Sequence, residues 1–294
     1  MFLLDKCLVN GTTGRVNAYA KVNLTLDVTG KRADGYHDIL SIMRIVDIYD
    51  VVTMELNETG IIELTTNLSW LPTDSGNIAY KAAQAVLEAA KSGCGVKIHI
   101  HKNIPCGAGM GGGSADGAAV LALLNKLMGD KLSEQQLLGL GAKIGADIPF
   151  CLMGGTCIAS GIGEKLEPIK SQGDVPILVV KPEVSISTAQ MYNVIDTAHI
   201  SKRPLTHKMK QALEDGDITA IAGELCNVME PPAIEQHSVI GAIRDKMLEE
   251  GASGAMMTGS GSAVFGIFET VDAVEQAAKA FENDYKDVYC TTMM

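Results

Sequence analysis

Three short segments carry residues whose types and spacing suit phosphate chemistry. The first, Gly107-Ala108-Gly109-Met110-Gly111-Gly112-Gly113-Ser114-Ala115-Asp116, packs five glycines into seven residues and leads into a helix. Without a Cβ, successive backbone N–H groups can converge on one anion, and the positive end of the following helix adds to the attraction. Ser114 at the helix entrance is expected to cap the helix or to place its hydroxyl near a nucleotide's metal, with Asp116 in the first turn. The second segment, Gly145-Ala146-Asp147-Ile148-Pro149, follows a helix directly and holds a single carboxylate among small and apolar residues, which on its own reads as readily as a turn or cap residue. The third, Thr258-Gly259-Ser260-Gly261-Ser262, lies between two expected strands and reads as a tight turn.

Other readings of these residues are weaker. Gly107, Gly109 and Gly112 satisfy G-x-G-x-x-G, but Pro105 and Cys106 separate them from the preceding strand. The strand that should complete a compact dinucleotide-binding unit is replaced by a second helix. No G-x-x-x-x-G-K-[ST] occurs, which removes the P-loop reading. His99 and His101 share a strand face without a third or fourth zinc ligand nearby in sequence.

These segments need a scaffold, and the chain supplies one of mixed type. Every even position from Val16 to Val28 is apolar, the mark of a half-buried strand, which leaves Tyr19, Lys21, Asn23, Thr25 and Asp27 to share a polar face lining a cleft. Strands are expected near 51–56, 61–65 and 96–101, a helix over 78–91, a helix over 118–128, and a helix to about 144 opened by the Ser133/Gln136 capping box. The second half reads as strand 177–181, several helices over 187–250, strands 255–258 and 263–268, helix 271–281 and strand 288–291. Without the extra helices this is β-α-β-β-α-β. The fold class is therefore α+β, with two domains, 1–165 and 166–294, divided within the glycine-rich and charged stretch 161–172.

Composition restricts the partners. A net charge of −11 would repel a phosphate backbone, so nucleic-acid binding through a broad basic surface is not expected, whereas a small anion can still be held by local N–H groups and one or two cations. Seven scattered cysteines without a C-x-x-C pair read as reduced thiols. Met-Phe-Leu-Leu meets Asp5 and Lys6 at once, and no later apolar run is long enough for a bilayer, so a cytoplasmic protein without a membrane partner is expected. Nothing in the sequence speaks to oligomeric state.

An N-terminal strand, a G-x-G-x-G-G-G-S loop and a late glycine/serine turn, in that order over nearly the whole chain, resemble the galactokinase/homoserine kinase/mevalonate kinase (GHMP) superfamily. Within it, Ala20-Lys21-Val22-Asn23-Leu24, Gly30-Lys31-Arg32-Ala33-Asp34-Gly35-Tyr36-His37, Gly109–Asp116 and Gly145–Pro149 are similar to the branch that phosphorylates a cytidine-diphosphate-linked methylerythritol. The resemblance implies an N-terminal α+β domain that binds ATP and a ferredoxin-like C-terminal domain with inserted helices. It implies ATP as donor with Mg²⁺, the 2-hydroxyl of the small-molecule substrate as acceptor, and a place in the non-mevalonate route to isoprenoid precursors.

Residue by residue, the resemblance implies Lys21 and Asp147 as the catalytic pair and Asn23 as a substrate contact. Pro105, Gly107, Ala108, Gly109, Met110, Gly111, Gly112, Gly113 and Ser114 would hold the ATP phosphates, with Lys102 approaching the nucleotide. Tyr36 and His37 would lie against the cytosine, and Tyr192 would form a second aromatic wall. The metal's protein ligands stay unassigned, Ser114 and Asp116 being the nearest candidates. The chain departs from the pattern at Ala115, where a second serine is usual, at Gly117, where alanine is usual, and at Tyr192, where phenylalanine is expected.

Overall fold

The computed structural model describes residues 2–294. Along the chain run β1 (Leu8–Asn10), β2 (Thr13–Lys31), β3 (His37–Asn57), β4 (Ile62–Thr66), α1 (Ile78–Ala89), β5 (Gly95–His101), α2 (Gly112–Leu127), α3 (Glu134–Ile144), α4 (Ile148–Met153), β6 (Thr156–Gly161), β7 (Lys165–Ile169) and β8 (Val175–Lys181). Then come α5 (Thr188–Ile195), α6 (Thr206–Asp215), α7 (Ile218–Gly223), β9 (Cys226–Asn227), α8 (Glu230–Gln236), α9 (Ser238–Glu249), β10 (Gly254–Met257), β11 (Val264–Ile267), α10 (Val271–Ala278) and β12 (Asp287–Met293). One compact unit gathers the residues up to Ala20, Ile48–Ile104 and Gly111–Gly154; the other gathers Lys21–Asp47, Pro105–Met110 and Gly155–Met294.

In the first unit, the second half of β3 pairs antiparallel with β5, from Val51 opposite His101 to Asn57 opposite Gly95, and β4 runs parallel to β5 on its other side. The alternation in β5 buries Val96, Ile98 and Ile100 and exposes Lys97, His99 and His101, the expected half-buried strand. α2 is buried on every side: its residues from Ala115 to Asn125 are all buried, Asp116 and Asn125 among them. A helix buried all round must be the centre of its layer rather than a surface helix. α1 is capped by the Asn77 side chain, and α3 by the reciprocal Ser133/Gln136 box read from the sequence.

In the second unit, β8, β10, β11 and β12 form an antiparallel sheet in the order β12-β8-β11-β10. With α10 between β11 and β12, and α5–α9 filling the β8 to β10 crossover, this is the β-α-β-β-α-β arrangement with inserted helices. Leu178, Val180, Ile240, Ile243, Met247, Phe268 and Phe281 form the core beneath the sheet. The first half of β3 pairs antiparallel with β6, and β6 with β7.

Two expectations change. Residue 165 is the first of β7, inside the β6–β7 hairpin, because Gly161 and Gly163 at positive φ fold the stretch back as a turn rather than releasing it as a linker. Nor is β2 half-buried in its second half. Lys21, Asn23, Thr25 and Asp27 are buried along with Val22, Leu24, Leu26 and Val28, so this polar face is enclosed and must be satisfied by internal hydrogen bonds.

Candidate active site

Within the second unit, the glycine-rich segment Pro105–Met110 is fixed by backbone contacts to β2 and to the Thr258–Ser262 turn. The Lys21 N–H donates to the Met110 carbonyl at 3.0 Å, and Ala263 N–H donates to the Ala108 carbonyl at 3.2 Å. Gly109, at φ 76°, lies so close to the turn that a Cβ would collide with the Thr258 carbonyl, and Gly259 meets Gly109 with a Cβ-to-carbonyl distance of 2.6 Å. Two backbones can approach this closely only where neither residue carries a side chain.

The buried Lys21 ammonium is oriented by this arrangement. Its Nζ donates to Asn23 Oδ1 at 2.6 Å and to the Gly109 carbonyl at 2.9 Å. Asn23 is held in turn: its N–H donates to Thr258 Oγ1 at 3.0 Å, and its amide donates to Ser41 Oγ at 2.8 Å. Ser41 passes its own proton to the Thr25 carbonyl at 2.6 Å. The amide of Asn227 donates to the Met257 and Gly259 carbonyls, both at 2.8 Å, which sets the turn. The lysine head is thus placed by a chain of bonded groups rather than left to sample rotamers.

In the first unit, α2 begins at Gly112 with Gly111 as N-cap in the left-handed region, φ 71° and ψ 18°, and no side chain caps the helix. Ser114 is therefore the third helical residue rather than the cap, because a glycine that turns left-handed already starts the helix. The first-turn N–H groups and helix dipole remain available to an anion.

Beneath that turn lies a buried charge cluster. Lys102 Nζ is bonded to Asp50 Oδ2 and, at 2.6 Å, to Asp116 Oδ2. Asp50 Oδ1 also accepts from the Asn103 and Ile104 N–H groups at 2.6 and 2.8 Å. A Cβ on Gly112 would stand 3.5 Å from Lys102 Nζ. Burial, with Asp50 adding negative charge nearby, pushes the Asp116 carboxyl up to about 8, while Lys102 opposes the rise. Burial penalises the Lys102 charge too, but attraction to Asp116 and Asp50 outweighs it and raises the ammonium. Asp116 Oδ1 is buried without a hydrogen-bond partner.

Asp147 precedes α4 in a helical conformation, φ −82° and ψ −11°, and its side chain makes no capping bond. The helix after it is anchored by Ile148, whose side chain fills the space over two glycines: a Cβ on Gly141 would lie 2.7 Å, and one on Gly117 3.2 Å, from Ile148 carbons. Ile78 stands 2.7 Å from the Gly117 Cβ position. That packing accounts for glycine at 117, since the two isoleucines occupy the room an alanine methyl would need.

The aromatic residues divide. His37 is buried, and its ring stacks on Tyr192 with centroids 4.8 Å apart and planes 13° apart. Its Nε2 lies 2.7 Å from Asp196 Oδ1, and Asp196 Oδ2 lies 2.5 Å from Lys31 Nζ. Tyr36 is 61% exposed in the turn where Arg32 N–H meets the Tyr36 carbonyl at 2.8 Å. The structure thus joins His37 to Tyr192 and leaves the Tyr36 ring outward.

Comparisons with known proteins place the chain in a family. The model of the GHMP kinases N terminal domain matches residues 77–155, and that of the GHMP kinases C terminal domain matches residues 209–287. The 4-diphosphocytidyl-2-C-methyl-D-erythritol kinase of Caldicellulosiruptor saccharolyticus is 49% identical over 94% of this chain and 96% of its own length. The chain belongs to the GHMP kinases, among the 4-diphosphocytidyl-2-C-methyl-D-erythritol kinases. A crystal structure of a 4-(cytidine 5'-diphospho)-2C-methyl-D-erythritol kinase superposes with a TM-score of 0.80 at 32% identity, covering 95% of this chain and 98% of the other. Homoserine kinase from Cytophaga hutchinsonii shares the fold at a TM-score of 0.76 and 20% identity, covering 97% and 96%. Membership of the GHMP kinases entails use of ATP and confirms the α+β fold class. Among the described residues no helix is long and apolar enough to cross a membrane.

Ser41 and Asn227 around Lys21, Asp50 against Lys102 and Asp196 against His37 escaped the sequence reading, and Thr258 and Lys31, though inside motifs it singled out, were given no role there. Asn227 lies in a two-residue strand, and Asp50 and Asp196 meet partners 52 and 159 positions away. A local motif cannot register such pairs. Only the polar positions on otherwise apolar β2 and β3 signalled that buried partners had to exist.

Proposed function

We propose that this chain transfers the γ-phosphoryl group of ATP to the 2-hydroxyl of 4-diphosphocytidyl-2-C-methyl-D-erythritol, a step of the non-mevalonate route to isoprenoid precursors. The observation that carries the chemistry is the Lys21 ammonium bonded to the Gly109 carbonyl, which ties a cation to the phosphate loop itself. The named relatives and the His37–Tyr192 pair support the cytidyl acceptor.

Phosphoryl transfer asks the protein mainly to align donor and acceptor and to stabilise charge that spreads over the transferred group. Pro105 and Gly107–Ser114 hold the triphosphate through backbone N–H groups, and the first turn of α2 adds its dipole. Lys102 bears on the same turn from beneath. Lys21 stabilises the developing negative charge, Asp147 takes or orients the proton of the acceptor hydroxyl, and Asn23 contacts the substrate. Tyr36, His37 and Tyr192 receive the cytosine, where ring stacking contributes about 1–3 kcal/mol per base.

The donor set fits a metal that arrives with its nucleotide. Mg²⁺ is commonly held by one or two protein oxygens plus phosphates and water. The Ser114 hydroxyl in the first turn of α2 is the protein ligand we assign; the Asp116 carboxyl is buried and already accepts from Lys102 through Oδ2. When bound, the metal screens the triphosphate charge. The protein acts on a small molecule in the cytoplasm, with no nucleic-acid partner, in keeping with its charge of −11.

Phosphorus NMR of the chain with ATP and the cytidyl-methylerythritol substrate tests this reading. We expect a new phosphomonoester resonance growing as the ATP γ resonance falls. ATP loss without that resonance, or faster phosphorylation of homoserine or mevalonate, would refute it.

A further inference from the structure

His37 is gripped in two ways by a single helix. Tyr192 within α5 covers one face of the imidazole, and Asp196, which follows α5 one turn later, bonds the ring edge at Nε2. The Asp196 N–H donates to the Tyr192 carbonyl at 3.2 Å, so the stacking ring and the bonding carboxylate share one rigid turn. Asp196 is itself fixed by Lys31 at the end of β2. Plane and rotation of the imidazole are both set, which is more than packing alone requires.

The carboxylate also decides where the imidazole proton sits. An ionised carboxylate only accepts, so Nε2 must carry the hydrogen, and in the neutral ring Nδ1 is then an acceptor. Hydrogen bonds from Lys31, and next from His37, hold the Asp196 carboxyl below its ordinary value, which keeps it an acceptor. With Nε2 bonded to Asp196, Nδ1 is the ring nitrogen that a ligand would meet.

Cytosine and uracil differ at the group such an atom would meet. Cytosine presents an exocyclic amino donor, whereas uracil presents a carbonyl acceptor at the same position. An Nδ1 lone pair accepts from the first and repels the second. We infer that Asp196 is a specificity-positioning residue, which fixes the His37 tautomer so that Nδ1 selects a cytidyl over a uridyl acceptor. This rests on the cytidyl reading above. It assigns the selection to a carboxylate that need not touch the substrate.

The test compares kcat/KM for the cytidyl and uridyl forms of the methylerythritol diphosphate in wild type, Asp196→Ala and Lys31→Met, together with imidazole ¹⁵N shifts of His37. The wild type should prefer the cytidyl form and show Nε2 protonated with Nδ1 bare. Asp196→Ala should lower the preference about tenfold or more, the worth of one discriminating base contact, with kcat on saturating cytidyl substrate within about threefold of wild type. Lys31→Met, which keeps the carboxylate, should leave the preference within about threefold. Asp196→Ala losing both substrates equally, or keeping the wild-type ratio, overturns the inference, as does a wild-type His37 protonated at Nδ1. Equal use of both forms by the wild type overturns the cytidyl reading and this inference with it.

Discussion

The Lys21 ammonium and the Gly109 carbonyl oxygen stand 2.9 Å apart across 88 residues of sequence, so the lysine orders the phosphate loop as well as carrying charge to it. A substitution that keeps the length of the stem and removes the cation should therefore do two things. Lys21→Met should lower kcat about 10²–10³-fold, the range for losing one preorganised donor to developing charge. It should also raise the KM for ATP, since the loop loses its tether. Steady-state kinetics separate the two effects, and an unchanged kcat would reduce Lys21 to a loop brace.

Gly109→Ala tests the close approach of loop and turn. The new methyl would meet the Thr258 carbonyl, and φ 76° is itself unfavourable for alanine. Both effects act in the folded state, so we expect a loss of about 1–3 kcal/mol in a denaturant titration, accompanied by weaker ATP binding. Stability equal to wild type would show that loop and turn separate in solution.

The buried cluster predicts an unusual pH dependence. Burial raises the Asp116 carboxyl to about 8 in the folded chain from its ordinary 3.8. Across that window the folded protein keeps a proton that the unfolded chain has released. The contribution of this group is fully present below pH 3.8 and is lost as pH rises through about 8. Lys102 is charged in both states over the same range and adds no slope of its own. Asp116→Asn should thus gain on the wild type as pH rises from 5 to 8, by on the order of a few kcal/mol. Parallel stability curves for the two proteins would show that Asp116 is already ionised when folded.

How much of this was legible in sequence depended on whether the signal was local. The even-position apolar series of β2 and the Ser133/Gln136 box were each read from neighbours in the chain and appear where expected. The β-α-β-β-α-β succession of the second half was read from its alternating patterns, whereas the sheet order β12-β8-β11-β10 came only with the structure. The first half of β3 was not legible, because Ile42, Met43, Ile45 and Val46 alternate with nothing: both faces are buried, and Ser41 and Arg44 are enclosed with them. α4 is six residues long with Pro149 in its first turn, too short for a periodic signal. At the site, glycine spacing revealed the phosphate loop, since backbone approach requires glycine locally. The partners that orient Lys21, Lys102 and His37 could not be read, because each is chosen by the fold from residues distant in sequence.

The role of Asp147 can be separated from that of a helix cap by one conservative change. In a capping role the side-chain oxygen would accept from an N–H in the first turn of α4, and asparagine would serve nearly as well. The structure shows no such capping bond; the Asp147 carbonyl enters the helix, accepting from Cys151 N–H at 3.1 Å. Asparagine keeps the shape and loses the negative charge that draws a proton from the acceptor hydroxyl. Asp147→Asn should therefore cut kcat by about 10²-fold or more, the range for losing a general base, with the KM values for ATP and acceptor within about threefold of wild type. Near-normal turnover combined with a lowered melting temperature would assign Asp147 to the helix and require another base.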